Sequence, residues 1–469
     1  MTRYRRIPVA LLTGLALVLA FVPSSGAAPG AARRTHHGAA TAGDPYYPRQ
    51  GNGGYNARHY DIHFRYSVAS RRMVGLTTIR AVATESLSRF NLDLRHRLHV
   101  RSVRVNGEVA HFAQPADQVQ ELVITPAHVL RSGAKFTVAV HYAGHPDSIR
   151  DPDEALDGFI RTSDGAVVLN EPQGAPTWFP VNDTPRDKAT FDVAVRVGNG
   201  HTAMSNGRLV RVKKHKHTRT FFWSLAQPVS SYLITATIGH FHRAHGRSPG
   251  GVPYIVAVDP SVGSPSDPVL QQLPHIIDYF SKKYGKYPFG PAGAIVDNAP
   301  FVGYALECAT RPVFDRSPTQ GDLSHELAHQ WFGDDVTLKR WRDIWLNEGF
   351  AQFSQWLWDE HRGGPTTYQR LQQTLAEPAS SGIWDPPPAN PGGPANEFAA
   401  SVYVRGAAAL AALRHKIGSA TFFTILRGWV AKHQYGNAVV PGFTRYAADV
   451  ANRDLDAFFS KWLYQSGKP

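Results

Sequence analysis

Apolar side chains recur at every second position through much of the first half of this chain and at every third or fourth position later on, and one kind of element cannot satisfy both periods. Tyr60, Ile62, Phe64 and Tyr66 alternate with Asp61, His63 and Arg65, the pattern of a half-buried strand. Val103 and Val105 lead into Asn106-Gly107 and Val109, which fits a tight hairpin because both turn residues tolerate positive φ. Asn206-Gly207 suggests a second hairpin. Beyond about residue 265, Leu270, Leu273, Ile276, Ile277 and Phe280 share one helical face. Gly246, Pro249, Gly250 and Gly251 punctuate the change. The expected fold class is α+β multidomain: a β-sheet-rich N-terminal domain over 46–248, then a mainly helical domain over 249–469. A length of 469 residues exceeds what one core usually organises, and a 42% hydrophobic content with ten tryptophans supplies the surface to bury.

Arg3, Arg5 and Arg6 precede an apolar run from Val9 to Val22 and then small residues at Ser25, Gly26 and Ala27. Residues 1–27 are therefore expected to be a signal peptide, and 28–45, rich in Ala and Gly, a flexible leader. The apolar run is short for a membrane span, and no later stretch reaches the roughly 18 to 20 apolar residues one needs. A secreted, extracellular protein without a transmembrane segment is expected. Cys308 is the single cysteine, so no intramolecular disulfide can brace the chain. The net charge of +13 serves solubility, and it also suits weak adhesion to anionic cell-wall polymers. The basic run from Lys213 to His217 lies between two strand-like segments and reads as a solvated hairpin tip. It has neither interleaved aromatics nor a basic helix, so nucleic acid is not an expected partner. Six prolines between Glu377 and Asn396 exclude a regular element there.

The chemistry concentrates in Asp322-Leu323-Ser324-His325-Glu326-Leu327-Ala328-His329-Gln330-Trp331-Phe332-Gly333. Asp322 is expected to cap a helix that Gly333 ends, with Leu327 and Trp331 facing inward. Residues four apart stack on a helix, so His325 and His329 can present two imidazole nitrogens to one metal ion. With eighteen residues between it and His329, Glu348 falls within a second helical pattern built on Trp341, Ile344, Trp345, Phe353, Trp356 and Leu357. Two histidines and a carboxylate leave a coordination position open, as catalytic zinc sites do. Glu326 then lies beside the metal as a base for an attacking water.

The stretch HELAHQWFGDDVTLKRWRDIWLNEGFAQF resembles the zinc signature of the aminopeptidase N family, which includes leukotriene hydrolases. The resemblance implies a thermolysin-like catalytic domain, one zinc ion per chain held by His325, His329 and Glu348, and Glu326 as general base. It implies Tyr403, in Tyr403-Val404-Arg405-Gly406-Ala407, as the residue that stabilises the oxyanion, with arginine where the family carries lysine. Glu307, in Gly303-Tyr304-Ala305-Leu306-Glu307-Cys308, matches the glutamate that anchors the substrate's free amine; Leu306 and Cys308 depart from that segment. Glu171 falls where a second amine-binding residue stands, ahead of a segment from Trp178 to Pro185 and Asp187-Lys188-Ala189 that also resembles the family. The implied function is release of N-terminal residues from peptide substrates by a short form without the C-terminal helical-repeat domain. The same zinc site also suits an endopeptidase or an epoxide hydrolase, and a catalytically silent cell-wall-binding protein would keep the fold without the reaction.

Overall fold

Tyr60, Ile62, Phe64 and Tyr66 are all buried along one face of strand Tyr55–Ser67, as their alternation requires. The computed structural model describes residues 35–469, and this strand is near the middle of its largest sheet. Eight strands follow the order Arg208–Lys214, Thr218–Val229, Ala189–Gly198, Tyr55–Ser67, Arg72–Ala83, Lys135–Gly144, Leu98–Val105 and Glu108–Val109. Ala189–Gly198 runs parallel to Tyr55–Ser67, and the other pairings are antiparallel. Asn106-Gly107 makes the expected hairpin, with φ of 53° and 85°. Residues 215–217 are the tip of the hairpin carrying the basic run.

Asn206-Gly207 does not make a hairpin. It links Thr202–Ser205, in a five-stranded sheet with Ala236–Gly239, to Arg208–Lys214 in the eight-stranded sheet. Each flanking strand pairs with a different, distant segment, and the Asn206 amide ties the crossing down. Its Nδ2 donates to the carbonyls of Leu233 at 2.8 Å and Ala309 at 2.6 Å, and its Oδ1 accepts from Thr235 N at 2.8 Å.

The signal expected in 1–27 lies outside the described residues. The described part of the expected leader, 35–45, is held rather than loose. His36–His37 pairs with Leu87–Asp93, and Asp44 accepts from the backbone of Tyr46 at 2.9 Å and of Trp341 at 3.0 Å. Composition alone misses this because its partners lie far along the chain.

The β-rich part precedes the helical part, as the two periods require. The change of sheet comes at 240–241, before the expected 248/249, which falls in the turn of the hairpin His242–Arg247/Pro253–Val258. That hairpin opens a sheet continuing through Ala292–Val296 and Val313–Phe314 to the edge strand Ala305–Leu306. Among the described residues eight α-helices follow or flank it: α1 (Leu273–Tyr284), α2 (Gln320–Ala328), α3 (Trp345–His361), α4 (Thr367–Ala376), α5 (Ala400–Ile417), α6 (Ser419–His433), α7 (Val440–Ala451) and α8 (Asp456–Phe459). Leu273, Ile276, Ile277 and Phe280 are the buried face of α1. Among the described residues no helix is long and apolar enough to cross a membrane.

One lysine stitches the two parts together. Lys188 Nζ donates to the carbonyls of Asp334 at 2.9 Å, Asp335 at 2.8 Å and Gly436 at 3.3 Å, and to Thr337 Oγ1 at 2.9 Å. A buried ammonium is tolerated only when its donors are all satisfied, and here four acceptors surround it.

Candidate active site

Helix α2 starts earlier than the sequence suggests. Thr319 is the N-cap, its hydroxyl accepting from Asp322 N at 3.1 Å, while the Asp322 carboxylate accepts from Thr319 N at 2.9 Å. Asp322 is thus the third-position partner in a capping box rather than the cap itself. Regular helix ends at Ala328, with His329 as its cap residue. Gly333, at φ 131°, bonds to Val336 O in the following turn instead of ending the helix. The loosened end frees the Phe332 carbonyl to accept from His329 Nδ1 at 3.0 Å. A carbonyl can only accept, so Nδ1 carries the hydrogen and Nε2 keeps its lone pair for a ligand.

Helix α3 brings Glu348 to that lone pair. Glu348 Oε2 lies 3.2 Å from His325 Nε2 and 3.5 Å from His329 Nε2. Tyr403, on α5, stacks against His325 with ring centroids 6.0 Å apart. The two helices approach closely because each has a glycine at the crossing, Gly349 on α3 and Gly406 on α5. A Cβ on Gly406 would lie 2.6 Å from the Trp345 ring and 3.2 Å from Gly349 Cα. Arg405 points away from the site and donates to the carbonyls of Trp384, Lys461, Trp462 and Gln465. The arginine that replaces lysine therefore anchors α5 to the C-terminal segment.

A cavity of about 490 Å³ opens onto these groups and is lined by Glu171, Glu307, Glu326, His325, His329, Glu348 and Tyr403. All seven residues expected for the site therefore converge. Glu307 follows the edge strand Ala305–Leu306, and its carbonyl accepts from Gln330 Nε2, next to His329, at 3.2 Å. Gln330 Oε1 accepts from Thr310 N at 2.7 Å, so the Glu307 segment is fixed at two points to the turn just after α2. Donor atoms of Glu171, Glu307 and Glu348 fall within 4.8 Å of one another, as do those of Glu307, Glu326 and His329.

So many buried carboxylates act strongly on each other. Burial and the neighbouring Glu307 push Glu171 well above the ordinary carboxylate range, and burial takes Glu307 up to about 7. Burial likewise raises Glu326, against the pull of His329. Burial would raise Glu348 too, but His329 and His325 hold it down to about 2. Burial lowers His325, whereas the carboxylates around His329 outweigh burial and raise it. Glu171 Oε1 and Glu307 Oε1 are buried without a hydrogen-bond partner. A site of this charge is completed by cations. The donor atoms of His325, His329 and Glu348, all within 4.8 Å of one another, fit zinc in both ligand type and number.

Some contributors escaped sequence reasoning. Tyr304 and Phe398 line the cavity, and Tyr304 Oη donates to Leu156 O at 2.7 Å, tying the Glu307 loop to the β-rich part. An aromatic residue three positions before Glu307 was the available signal. Asn347 Nδ2 donates to Tyr232 Oη at 3.2 Å, so the residue before Glu348 is also held from the β-rich part. Cys308, next to Glu307, does not line the cavity but is buried in the core, where burial raises its thiol pKa.

The chain matches the Peptidase M1 N-terminal domain over residues 56–233 and the Peptidase family M1 domain over 314–462. It is 27% identical over 454 residues to endoplasmic reticulum aminopeptidase 1 of Homo sapiens, covering 87% of this chain and 47% of that protein. It is 28% identical over 322 residues to aminopeptidase N of Lactococcus lactis, covering 62% of this chain and 38% of the relative. The chain thus spans about half the length, or less, of these curated relatives. A crystal structure of an M1 zinc metallopeptidase from Deinococcus radiodurans superposes with a TM-score of 0.83 at 27% identity, covering 92% of this chain and 98% of that one. A mutant of the Deinococcus protein was solved with a Tyr-Ser-Ala substrate, again with a TM-score of 0.83, at 26% identity. Zinc is the cofactor that these neighbours and the donor set agree on. Matched by both of the family's domain models in chain order, and sharing its fold almost end to end with a solved zinc metallopeptidase, this chain belongs to peptidase family M1.

Proposed function

We propose that the chain is a zinc-dependent aminopeptidase that releases N-terminal residues from peptides. The observation carrying this reading is the pair of unpartnered buried oxygens, Glu171 Oε1 and Glu307 Oε1, in the same cavity as the His325, His329 and Glu348 donors. A free α-ammonium group brings three N–H donors and a positive charge to those oxygens, and so selects chain ends over chain interiors. The tripeptide substrate of the Deinococcus relative supports peptides as the substrate class.

His325, His329 and Glu348 would hold the zinc, which when bound would supply Lewis acidity toward the scissile carbonyl and lower the pKa of a water toward neutral. Glu326, on the cavity wall between the ligands, takes the proton from the attacking water and delivers it to the nitrogen that leaves as the C–N bond breaks. Tyr403 donates its phenolic hydrogen to the carbonyl oxygen as negative charge develops there. Burial raises the pKa of that phenol, which favours the protonated form that can donate.

Glu326→Gln should abolish turnover of aminoacyl fluorogenic amides while zinc content stays at one per chain. Wild-type turnover by that variant, or by enzyme stripped of metal, would contradict the reading. Export is read from the sequence of residues 1–27, and a mature N-terminus close to Ala28 on protein recovered from the medium would support it. An intact N-terminus on protein retained in cells would oppose it.

A further inference from the structure

Away from the cavity, three carboxylates meet where the two parts of the protein join. Asp259 follows strand Pro253–Val258, and Asp297 follows its parallel neighbour Ala292–Val296. Val258 pairs with Val296, and the ladder continues one step further through Asp259 N to Val296 O at 2.9 Å. The two aspartates are therefore side by side on one face, at the spacing of adjacent strands, where like charges repel. Asp164 joins them from the turn between Leu156–Arg161 and Ala166–Leu169 in the β-rich part. One ligand oxygen from each lies within 4.8 Å of the others.

The hydrogen bonds nearby hold the carboxylates in place; His240 pairs with Asp164, while among the described residues no ion pair reaches Asp259 or Asp297. Asp164 Oδ2 accepts from His240 N at 2.7 Å and Nδ1 at 2.8 Å, and its Oδ1 from Thr162 Oγ1 at 3.2 Å. Asp259 Oδ1 accepts from Ser261 N at 2.7 Å and Oγ at 2.5 Å. Asp297 Oδ1 accepts only from Asn298 N, at 2.8 Å. Asp297 is 0% exposed, and its Oδ2 is buried with no partner. Burial, aided by Asp164 and Asp259, raises the Asp297 carboxyl to about 7, so as an anion it lacks a counter-charge.

We propose that Asp164, Asp259 and Asp297 bind a calcium ion that joins the five-stranded sheet of the β-rich part to the sheet whose edge strand lines the cavity. An all-oxygen donor set selects a hard cation over zinc. Three carboxylates from three separate segments, one of them in a turn, suit the irregular coordination calcium accepts better than the strict octahedron of magnesium. Calcium fills the gap at Asp297 Oδ2 and cancels the repulsion between the two in-register aspartates. None of the three residues lines the catalytic cavity, so the inference stands apart from the peptidase reading.

The test is calorimetric titration of the zinc-loaded full chain with calcium chloride and, separately, magnesium chloride, with the thermal midpoint read alongside. One calcium per chain should bind, the midpoint should rise, and magnesium should bind at least tenfold more weakly. Asp297→Asn, close in shape, should weaken calcium binding at least tenfold and remove the midpoint shift. Asp164→Asn, at the less buried turn, gives the same reading should the first variant not fold. An unresponsive wild type would mean that Asp297 is simply protonated, and would overturn the proposal. So would an undiminished calcium response in the variants.

Discussion

Placing a methyl group on Gly406 should misplace Tyr403. The added Cβ would lie 2.6 Å from the Trp345 ring, where ordinary contact begins at 3.4 Å, so the helices must separate by about 0.8 Å locally. Trp345 cannot yield instead. It is fully buried and wedged against Phe350 and Phe443, with ring centroids 5.3 and 5.8 Å away. Overpacking of this kind costs about 1–3 kcal/mol, and the better helix propensity of alanine returns about 1 kcal/mol, leaving a net loss on the order of 1 kcal/mol. Activity should suffer more than stability. Tyr403 is one helical turn from Gly406, Glu348 is next to Gly349, and a displacement near 1 Å in reacting geometry costs about 10²-fold in rate. Gly406→Ala should therefore fold, keep zinc, melt slightly lower and show kcat reduced by about 10²-fold on an aminoacyl fluorogenic amide. Wild-type kcat with a raised melting temperature would refute the claim that this crossing sets the site.

Tyr403→Phe should lower kcat by about 10²- to 10³-fold without loss of zinc, as removal of one oxyanion donor does, and unchanged kcat would remove it from the mechanism. Glu307→Gln should raise KM for free-amine substrates, and wild-type enzyme should leave N-acetylated versions uncut; equal cleavage of both forms would point to an endopeptidase. Burial raises the Asp183 carboxyl to about 7, only partly opposed by its bond from Ser231 Oγ. Its folded value lies above the unfolded one near 3.9, so the stability it contributes is fully present below about pH 4 and is lost as pH rises through about 7. Asp183→Asn should thus gain on wild type between about pH 5 and 8, by up to about 4 kcal/mol. Thermal melts of both proteins across that range check it, and a difference independent of pH would show that Asp183 does not titrate with folding.

Where the controlling interactions are local, the sequence was enough. The alternation from Tyr60 to Tyr66 needs only one buried sheet face, and the turn at Asn106-Gly107 needs only two residues that tolerate positive φ. The converging ligands were also legible, because His325 and His329 are fixed by helical spacing and Glu348 by the apolar pattern of α3. What could not be read depends on partners distant in sequence. Asn206-Gly207 looks like a hairpin until Ala236–Gly239 and Thr218–Val229 take up its two flanking strands. Residues 35–45 look flexible until Asp44 finds the Trp341 backbone. The cap of α2 was misplaced by three residues because Thr319 and Asp322 are both capping residue types, and the reciprocal pair they form is visible only in three dimensions.

The position of Lys188 bears on how this protein can be cut, copied or redesigned. Its ammonium comes from the β-rich part, and its acceptors are carbonyls and a hydroxyl just past the metal-binding helix and near Gly436. A fragment ending before that helix would lack every one of these acceptors for the amine, and one starting after residue 248 would expose four oxygens that water must then satisfy. Neither half is a spare part. Grafting this catalytic half onto another scaffold would require a substitute for one amino group before any attention to the metal.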